Sequence, residues 1–287
     1  MSKTYSNPRA LILRQKMQLA MSGFRDKIGL HDFNPGDFEV VPVRVTIPDL
    51  DPRFNGYRIV HISDIHMGQW MSKRRIEGVV KLVNQQKPDL VAITGDSVSY
   101  VANEPIMEML RSLRNLKPRD ATVSVLGNHD HIIGAEKILE VMEDNNVINL
   151  NNDVYTLKRG DAMLHIAGVD SVTLNQQDLD LVLEKLPSEG PAILLVHEPD
   201  FADTSSATGR FSLQLSGHSH GGQMVIPGLG TPFKGHNSKK YPIGMYKVGN
   251  MLQYTNRGLG TNVFWLRINC PPEITVFRLQ GGPRSKG

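Results

Sequence analysis

The sequence predicts an α/β sandwich with mixed β-sheets. Three observations carry that expectation. Apolar runs alternate with amphipathic stretches through the first half of the chain, as strand and helix do in strand–helix–strand units. Strand-like segments crowd the second half, with one short helical stretch among them. Finally, groups able to bind metal follow directly on several apolar runs. Asp64, Asp96 and Asn128 stand 32 residues apart in each case, about the length of one strand–helix–strand unit.

At the N-terminus Leu13, Met17, Ala20, Met21, Phe24 and Ile28 fall on one helical face, with Arg9, Arg14, Lys16, Arg25 and Lys27 interspersed and only Asp26 opposing them. Two uses fit this pattern. One is a basic amphipathic helix making peripheral membrane contact through residues 9–28. The other is a helix that lays its apolar stripe on the domain. Residues 1–33 are therefore set apart from one domain at 34–287, because no long Pro- or Ser-rich linker divides the metal-binding groups. Within that domain, 40–47 alternates as an edge strand, and Pro42, lacking an N–H, suits an edge. Residues 57–63 read as a strand ending at Asp64. Residues 73–86 read as a helix that presents Ile76, Val79, Val80 and Val83 on one face and stops before Pro88. A buried strand at 89–94 leads to Gly95-Asp96, and a helix at 104–115 carries Pro105 in its first turn. A strand at 121–126 leads to Gly127-Asn128-His129-Asp130, and a helix follows at 134–145. Short strands are expected at 147–150, 154–158 and 163–168, then a helix at 178–186. Buried strands at 192–196 and 211–215 end at His197 and at the His218-Ser219-His220 loop. The Gly- and Pro-rich remainder suggests strands at 251–255, 264–267 and 273–278.

Composition narrows the class. The 287 residues are 40% hydrophobic and 21% charged, a globular balance, and the net charge of +3 is too small to imply a specific nucleic acid partner. Cys270 is the only cysteine, so no intrachain disulfide forms, which suits the cytoplasm. No run of about 18 apolar residues is present, so no transmembrane helix is expected, and no secretory signal is evident. The expected location is cytoplasmic, with contact to the inner membrane through the N-terminal helix.

The chemistry lies in Asp64, His66, Asp96, Asn128, His197, His218 and His220. Seven oxygen and nitrogen ligands without a thiolate favour Mn, with Fe or Zn as alternatives. A carboxylate can bridge, so the set suits two divalent metal ions about 3.5–4 Å apart. Two carboxylates against two dications leave a site that attracts a phosphate. A water shared by the ions would lose a proton near neutral pH and become the nucleophile. His129 is placed to be the general acid for the leaving oxygen, with Asp130 orienting its ring. Arg257, in a Gly-rich loop, could fork onto a second phosphate, and Lys239, Lys240, Tyr241 and Tyr246 could hold a phosphate or a sugar. Other histidines have simpler readings: His61 and His165 as core residues, His31 and His236 as solvated ones, and His131 as a neighbour of the site or a bystander.

Taken together, Ser63-Asp64-Ile65-His66-Met67-Gly68, Gly95-Asp96-Ser97, Gly127-Asn128-His129-Asp130, Leu195-Val196-His197-Glu198-Pro199-Asp200 and Ser216-Gly217-His218-Ser219-His220-Gly221-Gly222-Gln223 resemble the motifs of calcineurin-like metallophosphoesterases over about 57–280. The resemblance implies a four-layer α/β/β/α sandwich with two mixed sheets and the metal site at strand C-terminal ends. It implies one ion on Asp64, His66, Asp96 and His220, another on Asp96, Asn128, His197 and His218, and His129 near the leaving group. The run His218–Gln223 with Lys239-Lys240-Tyr241, Gly244-Met245-Tyr246 and Asn256–Thr261 is similar to a bacterial subgroup. Members of it often carry an N-terminal membrane segment, and some cleave UDP-diacylglucosamine. Two departures stand out: the spanning segment is replaced by the amphipathic helix, and Ser99 stands where the subgroup often has an acidic residue. The expected function is dinuclear metal-dependent hydrolysis of a phosphoester or pyrophosphate bond in a phosphorylated small molecule or lipid-linked substrate. A soluble generic or cyclic-nucleotide phosphodiesterase is the near alternative. A non-catalytic metal-binding scaffold is the different class, and the complete ligand set speaks against it.

Overall fold

The computed structural model describes residues 8–28, 32–231, 235–262 and 266–282, apart from the side chains of residues 25 and 26. Helix α1 (Pro8–Lys27) precedes the domain. The first half then alternates as expected: β1 (Glu39–Ile47), β2 (Arg58–Ile62), α2 (Lys73–Gln85), β3 (Leu90–Thr94), α3 (Glu104–Leu110), β4 (Ala121–Val125), α4 (Asn128–Ile133), α5 (Ala135–Asp144) and β5 (Val147–Asn149). The second half holds β6 (Asp153–Arg159), β7 (Ala162–Gly168), α6 (Leu179–Lys185), β8 (Ala192–Leu195), α7 (Ala202–Ala207), β9 (Phe211–Ser216), β10 (Gly244–Val248), β11 (Met251–Thr255) and β12 (Glu273–Gly281).

Two mixed sheets result, one ordered β1-β12-β2-β3-β4-β5 and the other β10-β11-β9-β8-β7-β6. Three apolar cores separate four layers. Ile76, Val79 and Val83 of α2 with Met107 of α3 and Val141 of α5 cover one face of the first sheet through Val60, Ile62, Val91 and Ile93. Its other face, with Ile59, Ala92, Val123 and Phe277, packs on Ile166, Ile193, Leu195 and Leu213 of the second sheet. Val182 of α6 and Ala202 of α7 cover the far side of the second sheet at Ala192, Leu194 and Phe211. This is the expected α/β/β/α sandwich. Strand β1 lies at an edge, parallel to β12, where Pro42 costs no interior ladder bond.

Several local expectations change. The helix expected at 104–115 is α3 followed by a tighter 3-10 segment at Arg111–Asn115. Helices α4 and α7 arise in short polar stretches with too few apolar residues to show a period. Strand β10 pairs with β11 as a hairpin that the Gly-rich sequence disguised. The strand expected at 264–267 lies mostly outside the described residues, as does His31. Helix α1 forms where expected, but its apolar stripe does not pack on the domain. Gln18 is buried and accepts from the backbone N–H of Tyr100 at 2.8 Å, and the Ser22 hydroxyl donates to Gly68 O. Leu13 and Phe24 are each 59% exposed and Ile28 is 48% exposed. The inward face is the polar one.

Candidate metal centre

Strands β2, β3 and β4 are mutually parallel in one sheet, and β8 and β9 are parallel in the other. Their C-terminal ends therefore deliver residues 63–66, 95–96, 127–130, 197 and 217–220 to one edge of the sandwich. Six of the seven expected ligands are grouped there, and Asn128 is buried on the adjoining 127–130 loop. Asp64, His66 and His220 form one cluster and Asp96, His197 and His218 a second, with the ligand atoms of each cluster within 4.8 Å of one another. Asp96 joins the two: its Oδ2 lies 3.5 Å from His66 Nε2 and 3.2 Å from His197 Nε2.

The backbone that achieves this is unusual. Asp64, His66, Asp96, His218 and His220 all have positive φ, between 47° and 65°, a region most side chains avoid. Close approach adds a second constraint. A side chain at Gly217 would run into Ser63 and Asp64, and one at Gly127 would run into Asp96. Hydrogen bonds then lock the loops together, with Asp64 N–H donating to Gly95 O and His66 N–H to Asp96 O, both at 3.0 Å.

The protonation pattern fits cations. His197 Nδ1 donates to Thr94 O at 2.7 Å, and His218 Nε2 to His236 O at 2.7 Å. Their remaining nitrogens, His197 Nε2 and His218 Nδ1, face each other at 3.1 Å. Two lone pairs cannot share that space without a cation or a proton between them. Burial disfavours charge on the His197 ring, yet the Asp96 carboxylate outweighs it and raises the ring's proton affinity well above the ordinary value. In the other cluster, His66 Nε2 and His220 Nε2 also face each other at 3.0 Å. Burial holds both rings neutral, His66 with a pKa lowered to about 3, and so ready to ligate. Burial raises Asp64 to about 7, while its two oxygens accept the His218 N–H at 3.1 and 3.0 Å. Asn128 is the clearest sign. It is fully buried, and neither its Oδ1 nor its Nδ2 has a hydrogen-bond partner among the described residues. Buried amides are almost always satisfied, and a cation on Oδ1 would satisfy this one.

His129 sits where the motif places it, with its N–H on Asp96 Oδ1 at 2.9 Å. One expectation is corrected: Asp130 does not orient the His129 ring. Ser99 O does, accepting from Nδ1 at 3.0 Å. The Asp130 carboxylate instead accepts the backbone N–H groups of Ser97 at 2.9 Å, Val98 at 3.3 Å and Gly127 at 3.0 Å, tying two ligand loops together. Burial raises its pKa to about 7 and lowers that of His129.

The expected substrate contacts are engaged elsewhere. Arg257 is held by Glu273 through Nε and by Glu39 through Nη2, the latter at 2.8 Å; two carboxylates balance its charge, so it is not a free phosphate fork. Lys240 pairs with Asp203, and Tyr241 donates to the same carboxylate at 2.8 Å. The Tyr246 hydroxyl accepts from Ile243 N–H at 3.4 Å. Lys239 is exposed, and its backbone N–H donates to Asp200 at 2.9 Å. Among the other histidines, His165 is a satisfied core residue, bonded to Thr156 and Glu189 O. His61 is buried with Nε2 on Thr94 but Nδ1 unpartnered. His236 is exposed, and His131 pairs with Asp170 at 2.6 Å.

Sequence reasoning missed three supports. Ser99 bonds His66 Nδ1 through its hydroxyl at 3.2 Å as well as holding His129, so it positions two rings at once. Glu198, buried beside His197, accepts from Ser171, Val172 and Thr173 at 2.8–3.0 Å. Tyr100 packs its ring edge-on against His129 at 4.9 Å. Ser99, flagged as a departure, and Glu198, inside the His197 motif, carried a signal; Tyr100 carried none.

A two-sheet sandwich with buried Asp, His and Asn converging at parallel strand ends defines a metal-dependent hydrolase site. The chain belongs to the calcineurin-like phosphoesterase family, whose profile matches residues 57–222. It is 34% identical over 233 residues to "Uncharacterized metallophosphoesterase YkuE" of Bacillus subtilis, covering 79% of this chain and 80% of that one. It is 28% identical over 253 residues to "Phosphodiesterase YaeI" of Escherichia coli, covering 87% and 91%. It is also 29% identical over 259 residues to "Transmembrane protein with metallophosphoesterase domain" of Danio rerio, covering 84% of this chain but 57% of that relative. The protein is thus a metallophosphoesterase, an enzyme of a family that binds divalent metal. No helix among the described residues is long and apolar enough to cross a membrane.

Proposed function

We propose that the protein hydrolyses phosphodiester or pyrophosphate bonds with two divalent cations, Mn²⁺ in the first place and Fe or Zn as alternatives. The observation that carries this reading is the pair of buried clusters joined by Asp96 Oδ2. Asp64, His66, Asp96 and His220 would hold one cation, and Asp96, Asn128, His197 and His218 the other. Held there, the cations would acidify a water and neutralise the phosphoryl oxygens. The chain's own groups supply the rest. Thr94 O and His236 O fix which imidazole nitrogens face inward, and Asp130 and Glu198 hold the loops. His129, with Nδ1 committed to Ser99 O, has Nε2 as the atom that takes a proton when the phosphate's negative charge arrives and passes it to the leaving oxygen. The name of the Escherichia coli relative favours a diester. The test is turnover of bis(4-nitrophenyl) phosphate with added Mn²⁺. Activity should vanish in chelator and fall at least a hundredfold in Asp96→Asn, with metal content reduced. Wild-type metal content and rate in that variant would refute the bridge.

The outward apolar stripe of α1, with its interspersed basic residues, favours a substrate presented at a lipid surface, such as a lipid-linked pyrophosphate, over a freely soluble cyclic nucleotide. Co-sedimentation with phosphatidylglycerol vesicles should drop at least fivefold when Leu13, Phe24 and Ile28 are changed together to Ser. Equal sedimentation of wild type and variant would remove the membrane contact.

A further inference from the structure

Helix α1 reaches the metal centre through one ring. The Arg14 guanidinium lies 5.4 Å from the centroid of the Tyr100 ring. The same ring meets His129 at 4.9 Å and is pinned through its hydroxyl to Asn262 at 2.8 Å. Gln18, 1% exposed, fastens the helix to the Tyr100 backbone. Between α1 and Tyr100 opens a cleft of about 190 Å³ whose walls include Leu13, Met17 and Met21. Leu13 is 59% and Met17 41% exposed, so this apolar wall faces solvent until something covers it. Arg14 also lines the cleft.

We propose that this cleft is a substrate subsite. It receives an apolar ester group of the phosphoester, with the phosphate at the metal clusters and Arg14 adding positive charge beside it. The occupant follows from proximity to the site: the Tyr100 ring lines the cleft and touches His129, and cation and apolar surface together match an anion that carries a hydrocarbon substituent. At roughly 30 Å³ per water-sized group, the cleft has room for about six such groups. It therefore suits a short alkyl or aryl substituent, or the first carbons of a longer chain. This rests on the phosphoesterase reading and adds the substrate class to it.

The experiment compares methyl and hexyl 4-nitrophenyl phosphodiesters on the Mn²⁺-loaded full-length protein. A fully covered methylene is worth about fourfold in binding, so coverage of two of the five added methylenes makes kcat/KM at least tenfold higher for the hexyl ester. Leu13→Asn combined with Met17→Asn should cut the hexyl-to-methyl ratio to within about twofold of unity, while Leu19→Ser, outside the cleft, keeps the wild-type ratio. Titration calorimetry with methyl and hexyl phosphonates reads the same preference without turnover. Equal values for both chain lengths, in rate or in binding, overturn the subsite even where the esters are hydrolysed. Preferential binding of the hexyl phosphonate without hydrolysis of either ester would keep the subsite and remove the catalytic reading instead.

Discussion

The isolation of the Asn128 side chain makes a prediction that separates ligand from scaffold. The amide is buried with both polar atoms unpartnered among the described residues, and a buried group in that state costs about 1–3 kcal/mol. Replacing it with Ala removes that cost and leaves a small void worth about 1 kcal/mol of lost packing. The metal-free Asn128→Ala variant should therefore be as stable as wild type or up to about 2 kcal/mol more stable. At about 2–4 °C per kcal/mol for a chain of this size, the expected gain in Tm is about 0–8 °C. With metal the difference shifts toward the wild type. Free metal at a hundred times Kd stabilises the wild type by about 2.7 kcal/mol, and a tenfold weaker variant gains about 1.4 kcal/mol less. Differential scanning calorimetry in chelator and in saturating Mn²⁺ measures both arms. The variant should gain less from Mn²⁺ than the wild type and lose nothing in chelator. A loss of several degrees in chelator would mean that Asn128 is structural, and would refute its assignment as a ligand.

Two further outcomes follow from the histidines around the site. His129→Ala should slow phosphodiesters of poor leaving alcohols at least tenfold more than aryl esters, because a good leaving group needs no proton; equal slowing across the series would refute the general acid. His131 tests linkage away from the ligands. Partial burial disfavours its charge, but the hydrogen bond to Asp170 together with the negative charge of Asp170, Asp130 and Glu198 outweighs burial and raises its pKa above the ordinary value. A raised folded value means the contribution is fully present below about pH 6.5, the unfolded value, and is lost as pH rises through the folded one. The Tm difference between wild type and His131→Gln should therefore be larger at about pH 5.5 than at about pH 8.5. An equal gap at both pH values would show that the pair carries no charge-dependent stability.

What was legible in the sequence was whatever repeats or follows an apolar run. The alternation of β2, α2, β3, α3 and β4 could be read because each element buries one face at its own period, and every metal-ligand candidate could be read because it follows a strand end. Three kinds of information were not legible. Short helices such as α4 and α7 are set by loop closure around the site and carry too few apolar positions to show a period. The partners of charged side chains are set by tertiary approach: Glu39 is more than two hundred residues from Arg257 in the chain, yet the packing of β1 beside β12 brings it to the guanidinium. The orientation of α1 was left open between a core-packing and an outward-facing stripe, because the apolar period is the same in both. Here Gln18 and Ser22 supply directed bonds to Tyr100 and Gly68, and the stripe faces outward.

The ligand loops also show how function sets sequence against local preference. Five of the seven ligand residues, Asp64, His66, Asp96, His218 and His220, occupy left-handed φ, where a non-glycine residue costs roughly 1–2 kcal/mol. Together that is at least about 5 kcal/mol, comparable to the whole net stability of a marginal domain. Glycine would relieve the strain at each position but carries no ligand. The cost is therefore tolerated for the geometry it creates, in which side chains turn back from a tight loop toward a common point. The same loops are held by Asp130, Glu198 and Ser99, none of which is a proposed ligand, and by glycines such as Gly127 and Gly217 that admit a neighbouring carboxylate. A metal that binds only the folded chain returns part of that strain as stability. On this argument the strained ligand loops are held open for a cation, and the chelator-treated protein should be the less stable form.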